Sequence, residues 1–512
     1  MAPPADATGR ARWLLPLAAG LSAALIGVAW SWRPSFWWDE AATVSAADRS
    51  VAELDELLRG IDAVHGLYYL VMHGWFELFG VSELSARAPG AIAIGIGTAA
   101  LVQTARLLAG TRTAVVAGAV FAIMPRITWA STEARSYAMV AALAAVAGLA
   151  LVLAMRSTRR WWWALYAVIV ALSIMLFVYS AALVAAHAVT VACTRGAPRL
   201  RFVVAAAAAA VLAAPLAYLA IAQAGQVSWV PPLDGRVVRT VFLDQWFEQA
   251  PWFAAGCAVV VVAGLLRMVL ARRSVVRAGD ADLLLLALPA VLVPIAAFLA
   301  YSVLATNIYV GRYLIFTAPS VALLVALCLV RLFTARLAVA IAVLALALAA
   351  LPAYLAQRQP WGKQGGMDYS SVADFVGDHA AAGDCVVFQP TVPWQPTSLR
   401  AIEQARPDGF AGLDDIGFGR SGASRGELWD TDVADTVVAV RAERCPVLWV
   451  LTDTERAGSS RLLGPGNVWW RFEPFRFAGS ELYRTLASDG FVIDKRTPFN
   501  HTQVVRMVRA NW

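Results

Sequence analysis

Charged residues are scarce in this sequence. Only 15% of its 512 residues are Asp, Glu, Lys or Arg, whereas soluble globular domains carry about 25%. Hydrophobic residues make up 60%, and several apolar runs approach the roughly 20 residues that cross a hydrocarbon core. The composition therefore excludes an ordinary soluble protein and predicts a polytopic α-helical membrane protein.

The net charge of +7 comes from arginines that cluster between the apolar runs. No basic domain with interleaved aromatic residues is present, so no nucleic-acid partner is expected. Arginines concentrate at the cytoplasmic ends of membrane spans. Eleven spans with the N-terminus inside place every cluster on the cytoplasmic side. These spans are expected near residues 13–31, 88–108, 113–130, 136–155, 161–177, 180–194, 202–222, 251–270, 282–300, 313–331 and 337–355.

The span count depends on the segment 65–80. It is short, and it carries His73 and Glu77, which favours an interfacial or re-entrant helix over a span. If this segment does cross the bilayer, one of the other apolar runs is wrongly counted as a span. The predicted organisation is a transmembrane domain, a linker and an extracytoplasmic domain, with further outer loops within the first of these. Their bounds are 1–356, 357–370 and 371–512, with loops at about 32–87 and 223–250.

The C-terminal region alternates predicted helices and short buried strands. "DCVVFQP", "CPVLWVLTD" and "TQVVRMVR" are typical of strands, and "VADFVGDHAAAG" and "ELYRTLASDG" of helices. This order predicts a small α/β domain, without a P-loop or a Gly-rich dinucleotide motif. The chain has five cysteines, and Cys385 and Cys445 are the two in this domain. They form either a disulfide, which an oxidising compartment permits, or two buried thiols.

Two adjacent acids, Asp39 and Glu40, follow the aromatic run "SFWW" at the outer end of the first span. Ionisable residues at a membrane boundary are costly and usually functional. A solvated loop would equally account for the spacing alone. No ligand set with metal spacing supports a divalent cation, although one is possible beside these acids.

Further polar groups accumulate at the same predicted face. His65 opens the short segment, and Glu133 and Arg135 lie in "STEARSYAM". Arg312 precedes a late span, where the positive-inside tendency disfavours arginine. Guanidinium groups bind phosphate in a bidentate manner, although an outer arginine can also snorkel to lipid headgroups.

Interfacial carboxylates, outer arginines and aromatic residues together suit glycosyl transfer from a lipid-phosphate sugar. A carboxylate general base would deprotonate an acceptor hydroxyl, and arginine would stabilise the departing lipid phosphate. A single displacement of this kind inverts the anomeric carbon. No cofactor is required.

The ordered set "DE", "HGLYYLVMHGWFELFGVSELSARAPGAI", "PRITWASTEARSYAM" and "RYLIFTAPSVALL" resembles the GT-C glycosyltransferases. It is most similar to the branch of protein O-mannosyltransferases and aminoarabinose transferases, over residues 13–355. The resemblance implies that Asp39 is the general base, with Glu40 beside it. The substrate-binding residues that it implies are His65, Glu133, Arg135, Tyr137, Arg312 and Tyr313. The double proline that follows the histidine in the family is Gly66-Leu67 here, which puts the role of His65 in question.

The leading hypothesis is a multi-pass plasma-membrane enzyme that uses a polyprenyl-phosphate sugar. Mannose and arabinofuranose are the expected donor sugars, and the acceptor is a cell-envelope glycan, lipoglycan or protein. Frequent alanine and arginine are typical of a GC-rich bacterium, such as an actinobacterium. A lipid-linked sugar flippase predicts ionisable residues at mid-membrane depth, which the expected spans largely lack. A non-catalytic envelope scaffold predicts that Asp39 is dispensable.

Overall fold

A computed structural model describes residues 11–270, 278–389, 399–463 and 469–510. These residues form two compact units. The first comprises the described parts of Met1–Ser31, Ala63–Tyr68 and Arg87–Gln357. The second comprises the described parts of Trp32–Asp62, Tyr69–Ala86 and Arg358–Trp512.

The first unit is a bundle of apolar helices. Seven are long and apolar enough to cross a membrane, and four shorter ones lie among them in sequence. The long helices are Glu83–Ala109, Tyr137–Arg156, Arg199–Ala222, Pro251–Leu270, Gly279–Leu304, Gly311–Leu332 and Arg336–Ala356; the shorter ones are Trp13–Val28, Thr111–Ile123, Trp161–Leu176 and Val178–Cys193. Each coincides with one of the eleven expected spans, which confirms the polytopic helical class. The number that crosses the bilayer stays a prediction.

Small residues let these helices approach closely, as is common between membrane helices. A Cβ added to Gly264 would lie 2.4 Å from the Cβ of Cys328. One added to Gly97 would lie 2.7 Å from the Cα of Ala142. Larger side chains at these glycines would push the helices apart.

The expected span at 113–130 is wrong in one respect, because its helix is broken. The helix Thr111–Ile123 ends at Met124, and a separate short helix, Pro125–Ala130, follows. Pro125 has no backbone N–H to continue the first helix. The chain is then non-helical over 131–136 before the next long helix begins.

The second unit contains two helices of the first loop, Trp38–Ala47 and Val51–Gly60. Ser50 and Glu53 form a reciprocal capping box at the start of the second of these. Most of the helix Gly66–Phe79 also belongs to this unit. It has 14 residues, fewer than the roughly 20 that span a bilayer.

The rest of the second unit is the α/β fold expected from the C-terminal sequence. Its strands are β1 Cys385–Phe388, β2 Asp414–Asp415, β3 Val447–Asp453, β4 Ser460–Leu463, β5 Trp469–Phe472, β6 Phe491–Pro498 and β7 Thr502–Arg509. Five of them form a sheet in the order β2-β1-β3-β7-β6, with β2, β1 and β3 parallel and β7 and β6 antiparallel to their neighbours. The other two, β4 and β5, pair separately as antiparallel strands. The helices are Tyr369–His379, Ala401–Ala405, Asp435–Ala442 and Glu481–Ser488.

A disulfide joins Cys385 in β1 to Cys445, which precedes β3. It closes a sequence separation of 60 residues. Constraining a loop of this length in the unfolded chain stabilises the native state by about 4 kcal/mol. Replacing both cysteines with alanine is therefore expected to lower the opening free energy of β1 and β3 by about that amount, as measured by native-state hydrogen exchange. Cys193→Ala, which removes an exposed free thiol, is the control, and equal protection in the two variants would contradict the prediction.

Candidate active site

The acids Asp39 and Glu40 lie in the first turn of the helix Trp38–Ala47, which we call the acid helix. Carboxylates are favoured at this position because the helix dipole places partial positive charge there. Asp39 is half-buried, whereas Glu40 is fully buried. The Nζ atom of Lys363 lies 3.5 Å from Glu40 Oε1 and is itself buried. The two adjacent acids therefore have different surroundings, and the more accessible one is Asp39.

A cationic cluster lies in the other unit and is formed by His65, Arg135 and Arg312. His65 ends a short 3-10 turn, Arg135 lies in the non-helical segment 131–136, and Arg312 lies in the 3-10 turn Gly311–Thr317. Burial, reinforced by the charges of the two arginines, holds the pKa of His65 well below its ordinary value of 6.5. At neutral pH the cluster therefore consists of two guanidinium groups and an uncharged imidazole.

Aromatic rings lie beside His65 and Arg312 of this cluster, and Phe177 is close to several of them. Its ring centroid lies 6.5 Å from that of His65, 6.0 Å from that of Tyr137 and 5.3 Å from that of Tyr313. The ring of Tyr179 stacks on Tyr313 at 5.3 Å. These rings make a hydrophobic wall next to positive charge, as a lipid phosphate or a sugar requires.

The structure thus brings together residues from three distant stretches of the sequence, all of them singled out there: His65, Arg135 with Tyr137, and Arg312 with Tyr313. Glu133 is buried two positions before Arg135. Asp39 and Glu40 belong to the second unit.

A second arginine network, centred on Arg126, was missed from the sequence. Arg126 is buried, forms an ion pair with Glu248 and donates to the backbone carbonyl oxygens of Asp244 and Gln245. Its guanidinium carbon lies 4.7 Å from the ring centroid of Trp129. Arg126 is the second residue of the stretch "PRITWASTEARSYAM" and lies near the outer end of an expected span. This position was the feature from which it could have been predicted.

Glu248 connects this network to the cationic cluster. Burial raises the pKa of its carboxyl above the ordinary value, against the opposing charges of Arg126 and Arg312. Glu248 and Gln249 both have positive φ angles, 43° and 60°, which are uncommon for residues with a side chain. Glu248 therefore interacts electrostatically with an arginine of each group, Arg126 and Arg312.

We expect Arg126→Met to destabilise the protein by about 3 kcal/mol, because it leaves the half-buried carboxyl of Glu248 and two backbone carbonyls without their cationic donor. The measurement is the Tm of the purified protein in lipid nanodiscs. Arg59→Met is the matched control, because the exposed Arg59–Asp55 pair contributes at most about 1 kcal/mol. Equal Tm values for the two variants would contradict the prediction.

Among the residues that the structure describes, His, Cys, Asp and Glu side chains nowhere form a group of three that could hold a metal ion.

Comparisons with known proteins agree with this architecture. A family model described as dolichyl-phosphate-mannose-protein mannosyltransferase matches residues 67–221. Among curated protein sequences, none matches the chain.

Solved structures are similar over almost the whole chain. ArnT from Cupriavidus metallidurans in the apo state superposes with a TM-score of 0.59 at 12% identity, covering 98% of each chain. The same protein bound to undecaprenyl phosphate superposes with a TM-score of 0.57 at 14% identity, again over 98% of each chain. The arabinofuranosyltransferase AftD from Mycobacteria matches with a TM-score of 0.54 at 18% identity, over 99% of this chain and 40% of AftD. The chain therefore has the GT-C glycosyltransferase fold, and the resemblance predicted from its sequence is confirmed.

Proposed function

We propose that this protein is a membrane glycosyltransferase that moves a sugar from a polyprenyl-phosphate donor to an acceptor outside the cytoplasm. The observation that carries the proposal is the convergence of His65, Arg135 and Arg312 on one aromatic-walled site in a chain with the GT-C fold. ArnT, which shares the fold, has been solved with undecaprenyl phosphate bound.

The cationic cluster binds the donor phosphate in this proposal. Two guanidinium groups supply the bidentate donors that match phosphate oxygens. Burial lowers the local dielectric, which strengthens these contacts relative to those on an exposed surface. The aromatic wall contacts the first isoprene units or the sugar.

Asp39 acts as the general base. Its carboxylate takes the proton of an acceptor hydroxyl while the hydroxyl oxygen attacks the anomeric carbon. The bond from the anomeric carbon to the phosphate oxygen breaks, and the electron pair leaves with the polyprenyl phosphate. Arg135 and Arg312 stabilise the extra negative charge on this leaving group. Because the displacement is single, the anomeric configuration inverts.

The donor sugar is mannose or arabinofuranose. The name of the matching family model supports mannose, and the name of AftD supports arabinofuranose. We assign the acceptor to the cell envelope, as a glycan, a lipoglycan or a protein. The C-terminal domain and the active site both face the outside of the plasma membrane in this proposal, since the arginine clusters lie at the opposite ends of the spans.

Donor binding is expected to depend on pH through His65. An anion in the site counters the arginine charges and raises the pKa of His65, so binding takes up a proton as the pH falls. The affinity for a polyprenyl phosphodiester, whose own charge is constant, should therefore rise as the pH falls below the pKa that His65 has with the anion bound, and should level off below the lower pKa that His65 has in the free protein. Each unit by which the anion raises this pKa gives up to about tenfold.

The measurement is isothermal titration of wild type and His65→Gln in lipid nanodiscs at several pH values. Glutamine keeps a polar side chain but does not titrate, so the donor affinity of the His65→Gln protein should not change with pH. If donor affinity depends on pH equally in the two proteins, the proton that is taken up on binding belongs to a group other than His65.

The proposed activity is tested with the full chain in nanodiscs. Radiolabelled polyprenyl-phosphate mannose, and then the arabinofuranose equivalent, is supplied with a cell-envelope extract. Label in the acceptor fraction from one donor supports the function and identifies the sugar. Movement of the intact labelled lipid between leaflets of proteoliposomes, without transfer, would instead establish a flippase. If neither occurs although the donor binds, the chain is a non-catalytic scaffold.

A further inference from the structure

The segment 358–370, which begins the C-terminal part of the second unit, is bonded to the first loop. The backbone N–H of Ser35 donates to the carbonyl oxygen of Pro360 at 2.7 Å. The N–H of Phe36 donates to Ser370 Oγ at 2.8 Å, and the N–H of Ser370 donates to Ser35 Oγ at 2.9 Å. These reciprocal bonds hold the chain immediately before the acid helix.

Lys363 lies inside this segment and reaches Glu40. Its side chain is 1% exposed and that of Glu40 is 0% exposed. Lys363 and Lys495 are the two lysines of the chain, whose other basic residues are arginine and histidine. A buried lysine ammonium is strongly penalised unless it is paired, so this contact fixes the side chain of Glu40. Because Glu40 and Asp39 are consecutive residues of one helix with a fixed rotation per residue, a contact that restrains Glu40 also restrains the stretch of helix that carries Asp39.

The same segment is fastened to the C-terminal sheet. Asp368 accepts hydrogen bonds from the N–H of His501 at 2.8 Å and from the N–H and Oγ1 of Thr502, each at 2.9 Å. Asn500 Nδ2 donates to the carbonyl oxygen of Gly366 at 2.6 Å. Gly366 has a φ of +67°, and a Cβ there would lie 2.7 Å from Asn500 Nδ2. Thr502 is the first residue of β7, and it is hydrogen-bonded to Asp368, which lies five residues after Lys363 in the same segment. The sheet is therefore connected to Lys363 through this segment.

A second contact from the C-terminal region lies along the acid helix. Ser45 Oγ donates to the carbonyl oxygen of Leu428 at 2.7 Å. Just beyond the helix, Arg49 Nη2 donates to the same carbonyl at 3.3 Å. The ring centroids of Trp38 and Trp429 are 4.4 Å apart. The acid helix is therefore held at its first turn and near its end by residues from the C-terminal region.

We propose that Lys363 is a positioning residue for the acid helix, and that the C-terminal domain serves to hold this helix in the orientation that catalysis requires. This inference rests on the proposed function for the role of Asp39. It assigns the domain a mechanical part in the reaction, in addition to any contact with an acceptor.

The test compares Lys363→Met with Lys495→Met, which changes an exposed lysine of the same unit. Hydrogen exchange of residues 35–47 in the full chain is measured first. Lys363→Met should accelerate exchange in the acid helix and leave β3 protected, whereas Lys495→Met should match wild type. Asp368→Asn, which weakens the other end of the connection, should act in the same direction.

Transfer kinetics supply the second reading. A misplacement of about 1 Å can cost about 10²-fold in rate, so Lys363→Met should lower kcat by about 10- to 100-fold. The KM for the donor should change little, because the cationic cluster is unaltered. Lys363→Arg keeps the charge and should recover part of kcat, which a loss of general stability would not explain.

Exchange and kcat that are equal in the Lys363→Met and Lys495→Met proteins would overturn the inference. If the Lys363→Met protein does not fold, the inference is tested with Lys363→Arg and Asp368→Asn, by hydrogen exchange of the acid helix and by kcat. If wild type transfers no sugar from either donor, the proposed function fails, and the exchange data still decide whether Lys363 anchors the acid helix.

Discussion

Asp39→Asn is expected to lower kcat for sugar transfer by about 10²- to 10⁴-fold, the usual contribution of a positioned general base. Asparagine has nearly the same shape as aspartate but cannot accept the hydroxyl proton. Asp39 is half-buried in the first turn of its helix, so the substitution should leave the fold intact. The measurement is single-turnover transfer from the preferred polyprenyl-phosphate sugar in nanodiscs, together with the affinity for the donor.

The control is Asp48→Asn, which removes an exposed carboxylate immediately after the same helix. It has the same change in charge and should retain wild-type kcat. Donor affinity should be nearly unchanged in both variants, because the phosphate contacts are assigned to Arg135 and Arg312, which neither substitution alters. If the Asp39→Asn and Asp48→Asn proteins have the same kcat for sugar transfer, Asp39 is not the general base.

Removing the arginines of the cationic cluster should affect donor binding most. A hydrogen bond to a charged group contributes about 1.5–3 kcal/mol, so Arg135→Met and Arg312→Met should each weaken binding by about 10- to 150-fold. The rate should fall as well, because the leaving phosphate loses a stabilising charge. Titration with undecaprenyl phosphate and single-turnover transfer measure the two effects separately.

Arg236→Met is the matched control, because Arg236 is a half-exposed arginine of the loop 223–250 and forms an ion pair with its neighbour Asp234. It should bind the lipid phosphate as wild type does. If Arg135→Met and Arg312→Met also bind normally, the phosphate site lies elsewhere. If they bind weakly but transfer normally at saturating donor, the arginines bind the donor without stabilising the leaving group.

The candidate site shows how far sequence reasoning reached. Arg135 and Arg312 stood out because an arginine beside the outer end of a span contradicts the positive-inside tendency. Asp39 stood out because it follows a span and an aromatic run. Arg126 has the same kind of position as Arg135, but its partner Glu248 lies in a loop without regular periodicity. The ion pair between Arg126 and Glu248 could therefore not be predicted from the sequence.

Lys363 was missed for a different reason. The segment "QRQPWGKQGGMDYSS" has the polar and glycine-rich composition of a linker, and composition contains no information about which distant groups such a segment contacts. Phe36 and Ser370 are 334 residues apart in the sequence and yet share a hydrogen bond. A buried Lys363–Glu40 pair can be recognised only after folding has brought both segments to the same place.

Sequence patterns were sufficient to predict the membrane class, the eleven apolar helices, the α/β character of the C-terminal region and the chemical types of the candidate site residues. These features depend on local composition and periodicity, which each stretch of chain carries alone. Three features could be recognised only in the folded chain: the break at Met124, the convergence of His65, Arg135 and Arg312, and the attachment of the acid helix to the C-terminal sheet. These depend on contacts between segments far apart in the chain, where burial and charge pairing select partners that no local pattern specifies.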